Sequence, residues 1–150
     1  MSIIWGTASK YVIKRVERNL RISARKILDK TKYESVKFEI YNCLKWLLPL
    51  DNYTYSALCF LYNIIKNSRF PYFDRFLKYR HEVHIHSTRN NAELYISFIP
   101  RNDYGKMSIA FKACNLWNQL PSNILESVSI LTFKSQLKEH LLKIGMNECN

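Results

Sequence analysis

Three histidines stand close together in this 150-residue chain, His81, His84 and His86, and imidazole is a good zinc ligand. Their His-x-x-His-x-His spacing alternates as a strand or loop does, and no fourth ligand lies near it in sequence. A solvated loop is therefore the expectation, with no metal assigned. His140, further on, sits at the boundary of an amphipathic helical run, with no partner of matching spacing. The four cysteines, Cys43, Cys59, Cys114 and Cys149, contain no Cys-x-x-Cys pair, so neither a zinc site nor a dense disulfide framework is indicated. The first three fall within apolar periodic stretches, where a free cysteine packs as a small hydrophobe.

Catalysis finds little to work with. Two-metal phosphoryl chemistry needs clustered carboxylates, because both the attacking and the leaving oxygen must be stabilised. Asp51, Asp74 and Asp103 are instead scattered through turns and helix starts, and no acidic pair or Tyr-x-Asp-Asp occurs. There is no Gly-x-Ser-x-Gly elbow and no Cys-Gly-x-Cys, and three glycines in all leave no phosphate-cradling loop. The chain is expected to be no enzyme and to need no cofactor.

Charge is the stronger signal. Twenty-three Lys and Arg against 12 Asp and Glu give a formal charge of +11, which points to an anionic partner. The excess is concentrated. Lys10, Lys14, Arg15, Arg18, Arg21, Arg25, Lys26 and Lys30 face only Glu17 and Asp29, a balance of +6 within about 20 residues. Phosphate contacts from such a face bind nucleic acid without reading its sequence, through counterion release.

The elements that carry these residues follow from periodicity. Ile13, Val16, Leu20, Ala24 and Ile27 recur at steps of three and four, predicting a helix over about 9–30 whose other side is the basic face. A second helix is expected from about Glu34 to Trp46, ended by Pro49. A third, the most apolar, follows with Asp51 as its N-cap and Lys66, Asn67 and Ser68 closing it. Pro71, Tyr72, Phe73 and Phe76 mark a short packed turn, and Arg80 to Asn91 reads as loop. Leu94, Ile96 and Phe98 alternate, as do Met107, Ile109 and Phe111, so a β-hairpin is expected near 94–111 around the turn from Pro100 to Gly105. Ser129 then opens a last amphipathic helix with Phe133, Leu137 and Leu141 inward and Lys134, Lys138 and Lys143 outward. The expected fold is mainly α-helical α+β: an N-terminal helical bundle, the hairpin, and a C-terminal amphipathic helix. It is read as one domain over 1–150, with a helical part at about 9–78 and a second part at about 86–144. At this length, with 47% apolar residues, it can bury about two thirds of its unfolded surface. No apolar run reaches membrane-spanning length, and no apolar leader core of about 7–15 residues is seen near the N-terminus. An intracellular place, cytoplasmic or nuclear, with reduced thiols and no membrane partner, is the expectation.

One run is too particular to be generic. An extended stretch ends in Pro100-Arg101. Tyr104-Gly105 and Ser108 follow, then Leu116-Trp117-Asn118-Gln119-Leu120-Pro121 and Phe133-Lys134-Ser135-Gln136-Leu137-Lys138. In order and spacing it resembles the segment after the polymerase palm in reverse transcriptases of non-LTR retrotransposons, the jockey-like and LINE-type elements. Weaker matches upstream, at Ile4-Trp5-Gly6, Leu20-Arg21-Ile22, Pro71 with Phe73 and Phe76, and His86-Ser87-Thr88-Arg89, extend the likeness over nearly the whole chain. It departs from the pattern where Gly-Pro commonly precedes Leu-Trp-Asn, here Ala113-Cys114, and at Val16, where a Gln is usual.

The resemblance covers only what lies beyond the catalytic palm and implies a thumb-to-linker region beside template and primer. It places Arg89 and Arg101 at matching positions, from which they would add backbone contacts to those of Lys14, Arg15, Arg18, Arg21, Arg25 and Lys26. Gly105, Ser108, Leu116, Trp117, Asn118, Leu120, Pro121, Phe133 and Leu137 carry the matching framework, with Trp117 assigned to the core. The expected function is a non-catalytic module binding RNA or DNA backbone without sequence specificity. Two alternatives stand beside it: docking on another protein, such as a separate palm, or a decaying element fragment with no selected function.

Overall fold

In the computed structural model, residues 8–67, 73, 77–79, 82, 94–96, 100–106 and 108–149 are described. Helix α1, Lys10–Ile27, forms where 18 residues carry no Gly or Pro and place Leu20 and Ala24 on one side. Arg25 and Lys26 stand in its last turn, where cations complement the helix dipole. Asp29 beyond it takes a left-handed backbone (φ 52°), and Lys30 N–H donates to Arg25 O at 2.9 Å, the closing bond of a Schellman-type end.

The second helix is shorter than its periodicity suggests. Helix α2 is Lys37–Asn42 and not Glu34–Trp46. Glu34 is spent on the preceding turn, where its carboxylate accepts from Thr31 N–H (2.9 Å) and Thr31 Oγ1 (2.7 Å). At the other end Lys45 adopts a left-handed φ of 54°, which breaks the helical path before Trp46. Pro49 then begins helix α3, Pro49–Asn67, rather than merely ending its predecessor. Its missing N–H falls where a helix has no intrahelical acceptor to offer. Asp51 accordingly lies inside the first turn and is not the N-cap. Its carboxylate accepts a 2.6 Å hydrogen bond from Tyr41 Oη.

Two strands are described, β1, Leu77–Tyr79, and β2, Leu94–Ile96, paired antiparallel with Leu77 opposite Ile96 and Tyr79 opposite Leu94. The strand at 94–96 was expected, but its partner was not. Residues 109–111, read as the second arm of a hairpin, belong instead to a helix. A short helix α4, Asp103–Lys106, comes first, with Asn102 Oδ1 accepting from Gly105 N–H at 2.8 Å. Here glycine is needed for approach: a Cβ would stand 2.7 Å from Pro100 Cβ. Helix α5, Ile109–Asn118, follows, with Ser108 as N-cap accepting from Phe111 N–H. The alternation of three residues loses to the longer helical period that buries Ala113, Cys114 and Trp117. Helices α6, Ser122–Leu125, and α7, Ile130–Asn147, complete the chain; α7 buries Phe133, Leu137, Leu141, Leu142 and Gly145 and leaves Lys134, Lys138 and Lys143 exposed.

The mainly helical α+β class thus holds, with an N-terminal run of helices and a C-terminal amphipathic one. The chain gathers into two compact units, Met1–Ser56 with Leu131–Asn150, and Ala57–Ile130. The division falls inside α3 and at the start of α7. In the first unit Ala24, Val36, Ile40, Tyr41, Leu48 and Leu142 form the core, edged by Leu20, Leu44, Trp46 and Leu47. Gly145 lies against the Tyr41 ring so closely that a Cβ there would collide with Cζ. In the second unit Trp117, 4% exposed, packs 6.5 Å from Tyr62, whose hydroxyl donates to Ser127 O at 2.8 Å. Cutting such an indole to Ala costs about 3–5 kcal/mol.

Candidate nucleic-acid interface

An α-helix turns about 100° per residue, so Lys10, Lys14, Arg18, Arg21 and Arg25 fall on one stripe of α1, within an arc of about 80°. From Lys14 to Arg25 the stripe runs about 16 Å at about 1.5 Å per residue. Arg15 and Lys26 lie on an adjoining side of the same helix. Lys14, Arg15, Arg18 and Lys26 are exposed; Arg21 and Arg25 are half-buried. A groove of about 390 Å³ is lined by Lys14, Glu17, Arg18, Arg21 and Arg25.

Not every cation there is equally available. Arg21 Nη2 is bound to the Glu17 carboxylate one turn earlier, an ion pair in which both partners are partly covered. Among the described residues Arg21 Nε is buried with no hydrogen-bond partner. Arg25 Nε donates to Glu34 O at 3.2 Å, which fixes its stem but keeps its charge. Lys30, beyond the helix, is turned back on Glu34 (3.1 Å) and Glu39 (3.6 Å), and the same contacts raise its pKa, the Glu34 hydrogen bond foremost. Among the described residues four cations on the stripe therefore have no carboxylate partner: Lys10, Lys14, Arg18 and Arg25. The Glu17–Arg21 pair is legible in the sequence as an i, i+4 spacing of opposite charges.

The other expected contacts divide. Arg101 is exposed and belongs to the second unit, whereas the stripe belongs to the first. Arg89 lies outside the described residues, as do His81, His84 and His86. Among the described residues no group of three or more His, Cys, Asp and Glu side chains is placed to hold a metal ion. No helix among them is long and apolar enough to cross a membrane.

The framework residues acquire particular jobs. Ser108 caps α5. Asn118 works as a clasp: its Oδ1 accepts from Leu94 N–H at 2.9 Å while its Nδ2 donates to Leu94 O at 3.0 Å. One side chain thus satisfies both backbone groups of a buried strand residue. In an antiparallel ladder the N–H and C=O of a residue point to the same side. Leu94 therefore turns them toward α5 and away from β1, and Tyr79 N–H goes to Glu82 Oε2 instead (3.3 Å). Nothing in the sequence announces this pairing across 24 residues. Leu116 and Leu120 are half-buried, Pro121 is extended (ψ 144°) and leads into α6, and Phe133 and Leu137 are fully buried on α7.

Compared with protein-family models, with curated proteins and with solved structures, the chain matches none.

Proposed function

We propose that this chain is a non-catalytic module that holds the backbone of RNA or DNA without reading its sequence. The single observation that carries this is the α1 stripe: four uncompensated cations along one face, with one carboxylate, already engaged, on that side of the helix. Strings of Lys and Arg at helical spacing meet phosphates by Coulomb attraction and gain from counterion release, neither of which depends on base identity. The motif run from Pro100 to Lys138 supports a more particular version, in which the module is the post-palm region of a non-LTR retrotransposon reverse transcriptase, working inside the cell, in cytoplasm or nucleus. The catalytic carboxylates of such an enzyme have no counterpart in this sequence.

Fluorescence anisotropy with several duplexes of unrelated sequence tests the reading. Binding of all of them at low salt with similar affinity, and its loss on replacing Lys14, Arg18 and Arg25 together by Gln, is the expected result. Absence of binding at low salt would defeat the proposal. A second reading, docking on a separate palm or another protein, is favoured by one observation. The far side of α1 leaves Val16 and Ile27 46% and 59% exposed, more than a purely solvated helix needs.

A further inference from the structure

A second concavity, of about 340 Å³, lies in the first unit, and its chemistry differs from that of the stripe. Two half-buried aromatic rings, Trp46 and Tyr55, line it together with three exposed polar side chains, Asn52, Lys45 and Lys138. These come from the link after α2, the early turns of α3 and the middle of α7. The lining holds two ammonium groups and an amide, and no carboxylate is among its described residues. Its size falls within the range of small-ligand sites, about 300–1,000 Å³.

Each component matches one part of a nucleotide. Indole and phenol faces stack on any base, and do so without sequence preference. An amide can pair with a base edge, and lysines act as point charges for phosphate. The backbone at one of these lysines is strained. Lys45 holds a left-handed φ of 54°, a conformation that costs a lysine more than it would a glycine. The cleft is also separate from the stripe, since Leu20, which edges it, is turned about 120° from Lys14 around α1.

We infer that this cleft receives one nucleotide of single-stranded nucleic acid, its base against Trp46 and Tyr55 and its phosphate on Lys45 and Lys138. Bases paired in a duplex are stacked and out of reach, so the cleft confers a preference for unpaired strands on the backbone binding proposed above. Only that strand preference rests on the proposed function; occupation of the cleft by a nucleotide does not.

The probe is adenosine monophosphate, followed by the Trp46 indole N–H signal in NMR, with adenosine and inorganic phosphate as partial ligands. A saturable shift with the nucleotide, weaker with either part, is expected, and the affinity should fall at least tenfold in the Lys45→Ala, Lys138→Ala double variant. Lys45→Gly supplies the control for folding: relief of the left-handed backbone should raise its melting temperature while binding weakens. With oligonucleotides, the parent should bind a single strand more tightly than the matching duplex. The double variant should lose that advantage yet keep its duplex affinity. Duplex binding with no Trp46 response to millimolar nucleotide overturns the cleft and leaves the stripe standing. Equal shifts with phosphate alone overturn the aromatic contact. A Trp46 response in a protein that binds no strand overturns both the strand preference and the function proposed from α1.

Discussion

Glu17 is the residue whose removal tests the α1 stripe most directly. In the parent its carboxylate neutralises Arg21, leaving Lys10, Lys14, Arg18 and Arg25 as the stripe's uncompensated charges. Each phosphate neutralised on duplex DNA contributes about −0.9 to the slope of log K against log salt, so four contacts give about −3.6. Between about 50 and 200 mM salt the affinity should then fall about 150-fold. Glu17→Gln releases Arg21, and a fifth contact steepens the slope to about −4.5, a fall of about 500-fold over the same interval. Arg18→Gln shifts it the other way, to about −2.7. Arg18 is exposed, so Arg18→Gln should move folded stability by no more than about 0.5 kcal/mol, whereas Glu17→Gln also breaks a partly covered ion pair and should cost up to about 1 kcal/mol. Anisotropy titrations of parent and both variants at four salt concentrations give the slopes, and thermal melts give the control. If Glu17→Gln leaves the slope where it was, or makes it shallower, the stripe is not the contact surface.

Asn118→Ala should destabilise the protein by about 1–3 kcal/mol, because both backbone groups of buried Leu94 lose their partner. Asn118→Asp should not rescue it, since a carboxylate can accept from Leu94 N–H but only repels Leu94 O; urea denaturation of both variants decides. Burial raises the pKa of Asp51, against the opposing effect of the Tyr41 hydrogen bond. The folded state therefore binds that proton more tightly than the unfolded chain, and the stability it contributes is complete at low pH and lost as pH rises through the folded value. Asp51→Asn keeps an acceptor for Tyr41 and removes the buried charge. It should match or exceed the parent's stability near pH 7, with the gap closing as pH falls below the usual carboxylate value of 3.8; a gap that widens on acidification would contradict this. Cys43 is exposed, whereas burial pushes the Cys114 thiol up to about 12, so a thiol reagent should label Cys43 quickly and Cys114 only on unfolding. Mass spectrometry of the labelled peptides gives the order.

The parts of the fold legible in advance were those where one face repeats over many turns. Helices α1, α3 and α7 each carry an apolar face long enough to outlast local ambiguity, and the basic stripe is legible for the same reason. Strand β1 was not, since three residues beside a Pro- and aromatic-rich segment offer too little alternation to register. A hairpin is suggested at 107–111 because Met107, Ile109 and Phe111 satisfy a period of two over five residues. Ile109, Ala113 and Trp117 satisfy a helical one over nine, and Ser108 supplies its cap. A proline can begin a helix as well as end one, and with Pro49 opening α3 Asp51 falls inside the first turn and not at the N-cap.

What the sequence determined by itself is therefore the charge and where it concentrates, and the three long helices. Both are properties of residues near one another in the chain. What only the tertiary structure decided are the contacts between distant residues: Asn118 clasping Leu94, Tyr41 donating to Asp51, and the cleft where Trp46 and Tyr55 meet Lys138. Hydrogen bonds and ring contacts act over a few ångströms, and which side chains come within that reach is settled by how helices and strands pack, a choice that no short stretch of residues contains.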